Sequence, residues 1–200
     1  GTISSSPEGI SCGSTCSYLF NSGTSVQLTA TPDTGKVFTG WSGACSGTST
    51  CTVSMSAAKS VKATFVPTYA LSVSRAGTGS GAVISSPAGI SCGSTCSYSF
   101  NSGTSVKLTA TPDTGNKFSG WSGACLGTSV SCTVSMSAAK SVSASFSPIT
   151  YALTVTKSGS GTISSSPEGI SCGSTCSYSF NSGTSVQLTA TPEAGKVFTG

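Results

Sequence analysis

The chain has 200 residues, of which nine are Lys or Arg, five are Asp or Glu and none is His, so its net charge is +4. The basic residues are scattered singly and form no basic stripe, which excludes nucleic acid and anionic membranes as partners. No apolar run approaches the ~20 residues of a membrane span, so we expect no membrane insertion in this segment.

Internal repetition is the strongest pattern in the chain. The motif GTISSSPEGISCGSTCSY at residues 1–18 recurs, with a few changes, at 81–98 and again, unchanged, at 161–178. Residues 1–40 match residues 161–200 at 37 positions but match residues 81–120 at only 31, which gives the order A-B-A. Such repetition is typical of arrays built from one small unit.

The expected unit boundaries are two junctions that contain proline: Val66-Pro67-Thr68 and Ser147-Pro148-Ile149-Thr150. Proline interrupts strand pairing and stiffens a short linker. We therefore expect a first unit at 1–66 without its first strand, a complete unit at 67–147, and a third unit at 148–200 that stops in mid-repeat. We also expect the parent chain to be longer than this segment.

The elements of the complete unit, taken in chain order, are predicted to be strands with inward apolar residues at period two. Tyr98 and Phe100 share one face of the first such run, as do Tyr18 with Phe20 and Tyr178 with Phe180, and we expect all six in the cores. The later inward residues are Val106, Leu108 and Ala110, then Val134 and Met136, then Val142, Ala144 and Phe146, and finally Leu153 and Val155 at the start of the third unit. Gly, Pro, Asn and Asp turns separate the runs. We expect about six short strands per unit, and only residues 137–140 could form a helical turn.

Three short motifs carry a family resemblance. Leu-Thr-Ala-Thr-Pro at residues 28–32, Phe-Thr-Gly-Trp-Ser-Gly at 38–43 and Val-Lys-Ala-Thr-Phe at 61–65 recur in the other units as far as these extend. The chain thereby resembles the divergent internalin-type B-repeat family of bacterial surface and secreted proteins. The resemblance implies an all-β tandem array of small, mainly antiparallel or β-grasp-like modules without catalytic residues. The offset of 80 residues between copies gives the size of each module. The resemblance implies no ligand, because such modules act as spacers and only occasionally as adhesive units.

Cysteine usage indicates an oxidising, extracellular or cell-surface location. Four cysteines per unit allow three pairings, and we favour the local one because the second loop varies by one residue between copies and is still bounded by cysteines. The local pairs are Cys12–Cys16, Cys45–Cys51, Cys92–Cys96, Cys125–Cys132 and Cys172–Cys176. The alternatives are a four-cysteine zinc site, disfavoured by uneven spacing and the lack of histidine, and a redox pair, disfavoured by the lack of Cys-x-x-Cys.

The composition offers few side chains that could carry out catalysis, so no enzyme activity, metal or cofactor is expected. Abundant serine needs a base, and the sequence has no histidine. The carboxylates occur singly, each directly after a proline, where they suit turns better than paired acid–base chemistry; they are Glu8, Asp33, Asp113, Glu168 and Glu193.

Four residues are candidates for contact with a partner. Trp41 and Trp121 could stack on a sugar ring, although a core position suits an indole better. Leu19 and Leu126 stand where other copies have serine, so each is a candidate self-association contact. Two functions therefore remain: a non-enzymatic structural array of a stalk, surface protein or filament, with neighbouring repeats as partners, or a glycan- or surface-binding adhesive module that acts by avidity.

Overall fold

The computed structural model describes residues 1–199, and its regular elements are all β-strands. In chain order they are β1 (Thr2–Ser6), β2 (Ser11–Cys12), β3 (Ser25–Thr31), β4 (Lys36–Gly43), β5 (Cys51–Ser54), β6 (Val61–Ala76), β7 (Gly81–Ser86), β8 (Ser91–Cys92), β9 (Ser97–Asn101), β10 (Ser105–Pro112), β11 (Asn116–Gly123), β12 (Ser131–Ser135), β13 (Lys140–Pro148), β14 (Thr150–Thr154), β15 (Gly161–Ser166), β16 (Ser171–Cys172), β17 (Ser177–Asn181) and β18 (Gln187–Pro192). The all-β prediction is confirmed; residues 137–138 form a bend rather than a helical turn, and β13 already begins at Lys140.

Alternation of side chains explains why these segments are strands. In β10, Val106, Leu108 and Ala110 are buried, whereas Ser105 and Lys107 are exposed. β12 and β13 follow the same rule, with buried Val134, and with buried Val142, Ala144 and Phe146. One buried face and one hydroxyl-bearing face per strand is the pattern of an antiparallel sheet with one solvated side. The inward residues predicted for β10, β12 and β13 are therefore confirmed.

The middle unit is built from two sheets. The first has the order β12-β10-β7-β8; in the second, β11 pairs with β13, and β13 and β9 both pair with β6. β4 of the first unit joins this second sheet through residues 61–67 of β6. Both sheets contribute side chains to one core, which runs from Leu71 and Val73 through Phe100 to Trp121 and Met136. The pairing is antiparallel except between β6 and β13, which run parallel over residues 71–76 and 140–145.

The first unit has the same first sheet, β2-β1-β3-β5, and its β4 pairs with residues 61–67 of β6. Its residues 17–21 are not a strand, whereas the equivalent residues form β9 and β17 in the other units. In the third unit β14 pairs with β17, and β16, β15 and β18 form a small sheet. Its core, centred on Ile170, Cys172 and Phe180, is correspondingly small.

Two expectations about local structure need correction. Pro67 does not interrupt pairing: β6 runs through it, and Pro67 pairs with Lys36 at the end of the antiparallel ladder. The phenylalanines that follow the tyrosines are at least partly buried, but Tyr18, Tyr98 and Tyr178 are about half exposed. Each tyrosine ring covers a glycine of the Pro-x-Gly turn at the sheet margin, so one side of the ring still meets solvent.

Candidate functional site

The cysteines form five local disulfides in the structure. Three close loops of four residues' separation (Cys12–Cys16, Cys92–Cys96 and Cys172–Cys176), and two close longer loops (Cys45–Cys51 and Cys125–Cys132). In each short loop a two-residue strand turns back on itself. In the middle unit Ser91 N donates to Thr95 O and Thr95 N to Ser91 O, both at 2.9 Å. Cys92 is buried, so this loop fastens the edge strand β8 to the core.

The longer disulfide loops fold over the two tryptophans. Trp121 N donates to Gly127 O at 2.8 Å, and its indole Nε1–H donates to Ser129 O at 2.8 Å. Trp41 makes the same two bonds, to Gly47 O at 2.8 Å and to Ser49 O at 2.9 Å. The side chains are only 6% and 5% exposed, for Trp41 and Trp121 respectively.

Both indoles thus lie in the core, the position that the sequence favoured for them over a sugar contact. A sugar ring needs an open aromatic face, and these indoles are packed against Phe38 and Phe118, with ring centroids 5.0 Å apart in both units. The extra residue of the second longer loop comes after the Ser129 carbonyl, so it leaves the tryptophan bonds unchanged. Val130 lies at this position, and its carbonyl accepts from Ala110 N at 2.8 Å.

Leu19 and Leu126 lie on the surface. Leu19 is 97% exposed, within the non-strand residues 17–21, and Leu126 is 82% exposed in the Cys125–Cys132 loop. Both are free to contact a partner, and nothing in the structure shows which one. They stay candidate contacts.

An open groove lies in the first unit beside Leu19. It has a volume of about 360 Å³ and is lined by apolar side chains that include Ile10, Phe20, Met55 and Val61. In the middle unit the corresponding space holds Leu71 and Val73 of β6, both buried. Val73 N also donates to Cys96 O there, at 2.7 Å. The groove therefore lies where the core of the middle unit holds residues 71–73 of β6.

The junctions between units share one hydrogen-bonding pattern. At the first, Thr68 N donates to Gly35 O at 2.9 Å and Ser102 N donates to Pro67 O at 2.8 Å. At the second, Ile149 alone takes both roles, since its N–H donates to Gly115 O and its carbonyl accepts from Ser182 N, each at 2.8 Å. A turn of one unit and a turn of the next thus both form hydrogen bonds with the same stretch of backbone.

Charged groups are sparse and exposed. Within the described part of the chain no three His, Cys, Asp or Glu residues are grouped so as to hold a metal ion. Lys36 Nζ lies 3.6 Å from Oδ2 of Asp33, and both side chains are about half exposed. Residues 1–199 include no helix that is long and apolar enough to span a bilayer.

This geometry defines a class: disulfide-stapled β modules in tandem, joined by short hydrogen-bonded junctions. The family model for the divergent InlB B-repeat domain matches residues 2–68, 73–150 and 151–200. The chain therefore belongs to the divergent InlB B-repeat family, a non-catalytic kind of repeat associated with bacterial surfaces. No curated protein and no solved structure matches the chain.

Proposed function

We propose that this chain is a non-enzymatic, structural repeat array of an extracellular stalk, surface protein or filament. The observation that carries the proposal is the continuity of backbone pairing from one unit to the next. β6 is the last strand of the first unit and the first strand of the middle unit, with no unpaired linker between them. At the second junction only Ile149 separates β13 from β14.

The junction hydrogen bonds support restricted motion between units. A flexible linker would leave its backbone groups to water, but Thr68, Pro67 and Ile149 each bond to a turn of an adjoining unit. Bending at a junction would break these bonds. The array is therefore expected to set a distance, so that the number of repeats sets its length.

The surface chemistry agrees with an extracellular spacer. Disulfides persist in oxidising compartments, and the hydroxyl-rich outer faces keep the units soluble with little charge. We propose neighbouring repeats as the principal partners. Binding of glycans by avidity is the competing function; both tryptophans are buried, so neither indole offers an open face to a sugar ring.

The test is small-angle scattering on chains with two, four and six complete units, copied from residues 67–147. The proposal predicts that the maximum dimension grows linearly, by a constant increment per unit. A compact particle whose size grows far more slowly would contradict it. A glycan array probed with the same chains separates the two functions, because repeat-number-dependent binding to a defined sugar would favour the adhesive one.

A further inference from the structure

We propose that the parallel pair of β6 and β13 is a mechanical clamp, which keeps the middle unit folded when the chain is pulled from its ends. The inference rests on the proposed function, because a stalk or filament carries tension along its length. It adds to that function the element that bears the load.

The clamp joins the first and last strands of the unit. Its six residue pairs run from Leu71 opposite Lys140 to Ala76 opposite Ser145. Because the strands are parallel, tension enters at one end of the ladder, through β6, and leaves at the other end, through β13. The ladder is sheared lengthwise, so its evenly spaced hydrogen bonds share the load instead of opening one after another.

Side chains beneath the ladder shield it from water. Leu71, Val73, Val142 and Ala144 alternate with exposed or half-buried residues along the two strands and are all buried in the core. Water that reaches a strained hydrogen bond replaces it, so a dry underside slows rupture. Sliding the strands past one another also pulls these side chains out of their packing.

The end of the ladder is closed by the turn at residues 77–81. Gly79 N donates to Phe146 O at 3.0 Å, just beyond the last pair. Gly77 has a φ of +88°, and a Cβ there would meet Phe146 O, so only glycine lets the turn approach β13 so closely. Gly81 lies against the ring of Phe146. The turn thus packs against Phe146, at the end of the ladder where tension leaves the clamp.

The disulfides lie off the load path. Cys92–Cys96 and Cys125–Cys132 close loops between the two clamped strands, so they carry no tension while the clamp holds. Once it breaks, they limit how much chain is released. Residues 69–146 should then extend by on the order of 200 Å, at ~3.6 Å per residue.

Single-molecule force spectroscopy on the full chain tests the clamp by a change of pulling direction. In one arrangement handles are attached at the two termini, which shears the ladder. In the other, one handle is attached to a clickable side chain introduced at the exposed position of Thr78 and the other at the C terminus, which opens the same ladder from one end. We expect the event of about 200 Å to need a several-fold higher force in the first arrangement. Equal forces, or a lower force on terminal pulling, would overturn the proposal.

A matched pair of variants gives a second readout. Val73→Ala and Val106→Ala remove the same atoms from the same buried core, but only Val73 lies in the clamp. We expect similar losses of melting temperature, with a fall in the terminal-pulling force that is clear only for Val73→Ala. Equal falls in force would mean that general core stability, and not the clamp, resists tension.

The force experiment tests the clamp and the scattering experiment tests the stalk, so either proposal can be rejected without the other. Linear growth of the array with no dependence on pulling direction would reject the clamp and leave the stalk. A strong dependence on direction in an array that collapses would keep the clamp and reject the stalk.

Discussion

The first and middle units have closely similar sequences but differ in how completely their apolar side chains are buried. Phe100 and Met136 are buried in the middle unit, whereas their equivalents Phe20 and Met55 are only partly buried in the first. Residues 97–101 form a strand and residues 17–21 do not. Within residues 1–199 the first unit also has no strand equivalent to residues 71–76 of β6.

The comparison shows what the opening strand contributes. It lies between two strands, pairing with β9 on one side and β13 on the other, and it places Leu71 and Val73 in the core. Without it the first unit keeps its other sheet, its two disulfides and its buried tryptophan. The disulfides and the tryptophan therefore hold each end of a unit, and the opening strand closes the space between them.

The largest expected effect is that of reducing the disulfides of the middle unit. Each short loop contributes about 2 kcal/mol in the loop-entropy description, so opening Cys92–Cys96 and Cys125–Cys132 should cost about 4 kcal/mol. For a domain of this size that lowers the melting temperature by roughly 15–30 °C. Calorimetry with and without a reductant measures it, after non-reducing peptide mapping has verified the local pairs. An unchanged melting curve would mean that packing alone holds the unit.

The next effect is that of truncating the opening strand's main side chain. Leu71→Ala should destabilise the middle unit by about 3 kcal/mol, since Leu71 is fully buried and its loss leaves a cavity. Residues 97–101 should then lose their strand structure, which residues 17–21 do not have. Chemical denaturation measures the loss, with Leu126→Ala as the matched control at an exposed position, where we expect a change within about 0.5 kcal/mol. A loss for Leu71→Ala no larger than the control's would show that the strand adds little.

Much of this comparison could be read from the sequence. Period-two alternation correctly gave the inward residues of β10, β12 and β13, because a sheet with one solvated face needs just that pattern. The alignment of Gly1 with Gly161 led to the expectation that residues 1–66 have no strand equivalent to residues 151–156. The parallel pairing of β6 with β13 had no local signal, since it joins segments about 70 residues apart.

Two further features were misjudged for physical reasons. Pro67 looked like a break, but at the end of a ladder its missing N–H costs nothing, while its carbonyl still accepts from Ser102 N. Alternation placed Tyr98 on the same face of its strand as Phe100 but did not predict its exposure. Tyr98 lies at the margin of the sheet, so one side of its ring still meets solvent. For Trp41 and Trp121 the sequence favoured a core position, and in the structure the disulfide loop beside each indole covers it.

A smaller effect is expected at the tryptophans, where the two units should behave alike. Trp41→Phe and Trp121→Phe each remove an indole hydrogen bond to a loop carbonyl and should each cost about 1–3 kcal/mol. Each variant leaves one tryptophan as a fluorescent reporter of the other unit. A loss of stability in the middle unit alone would contradict the view that the end of the first unit around Trp41 is closed.

The smallest effect is expected at Leu19. Leu19→Ser restores the residue found at the equivalent positions Ser99 and Ser179 and should change stability by less than about 0.5 kcal/mol, because the side chain is exposed. Denaturation of the variant beside the parent chain measures this. A larger loss would show that Leu19 covers part of the open groove in solution.

The most direct test of the comparison is hydrogen exchange at the backbone amides of residues 18–20 and 98–100. The opening strand, if it closes each unit, should make exchange slow at 98–100 and fast at 18–20. Placing the sequence of residues 150–160 ahead of Gly1 supplies the strand to the first unit, and exchange at 18–20 should then slow to the rate of the middle unit. Slow exchange at 18–20 without that addition, or no change with it, would contradict the account.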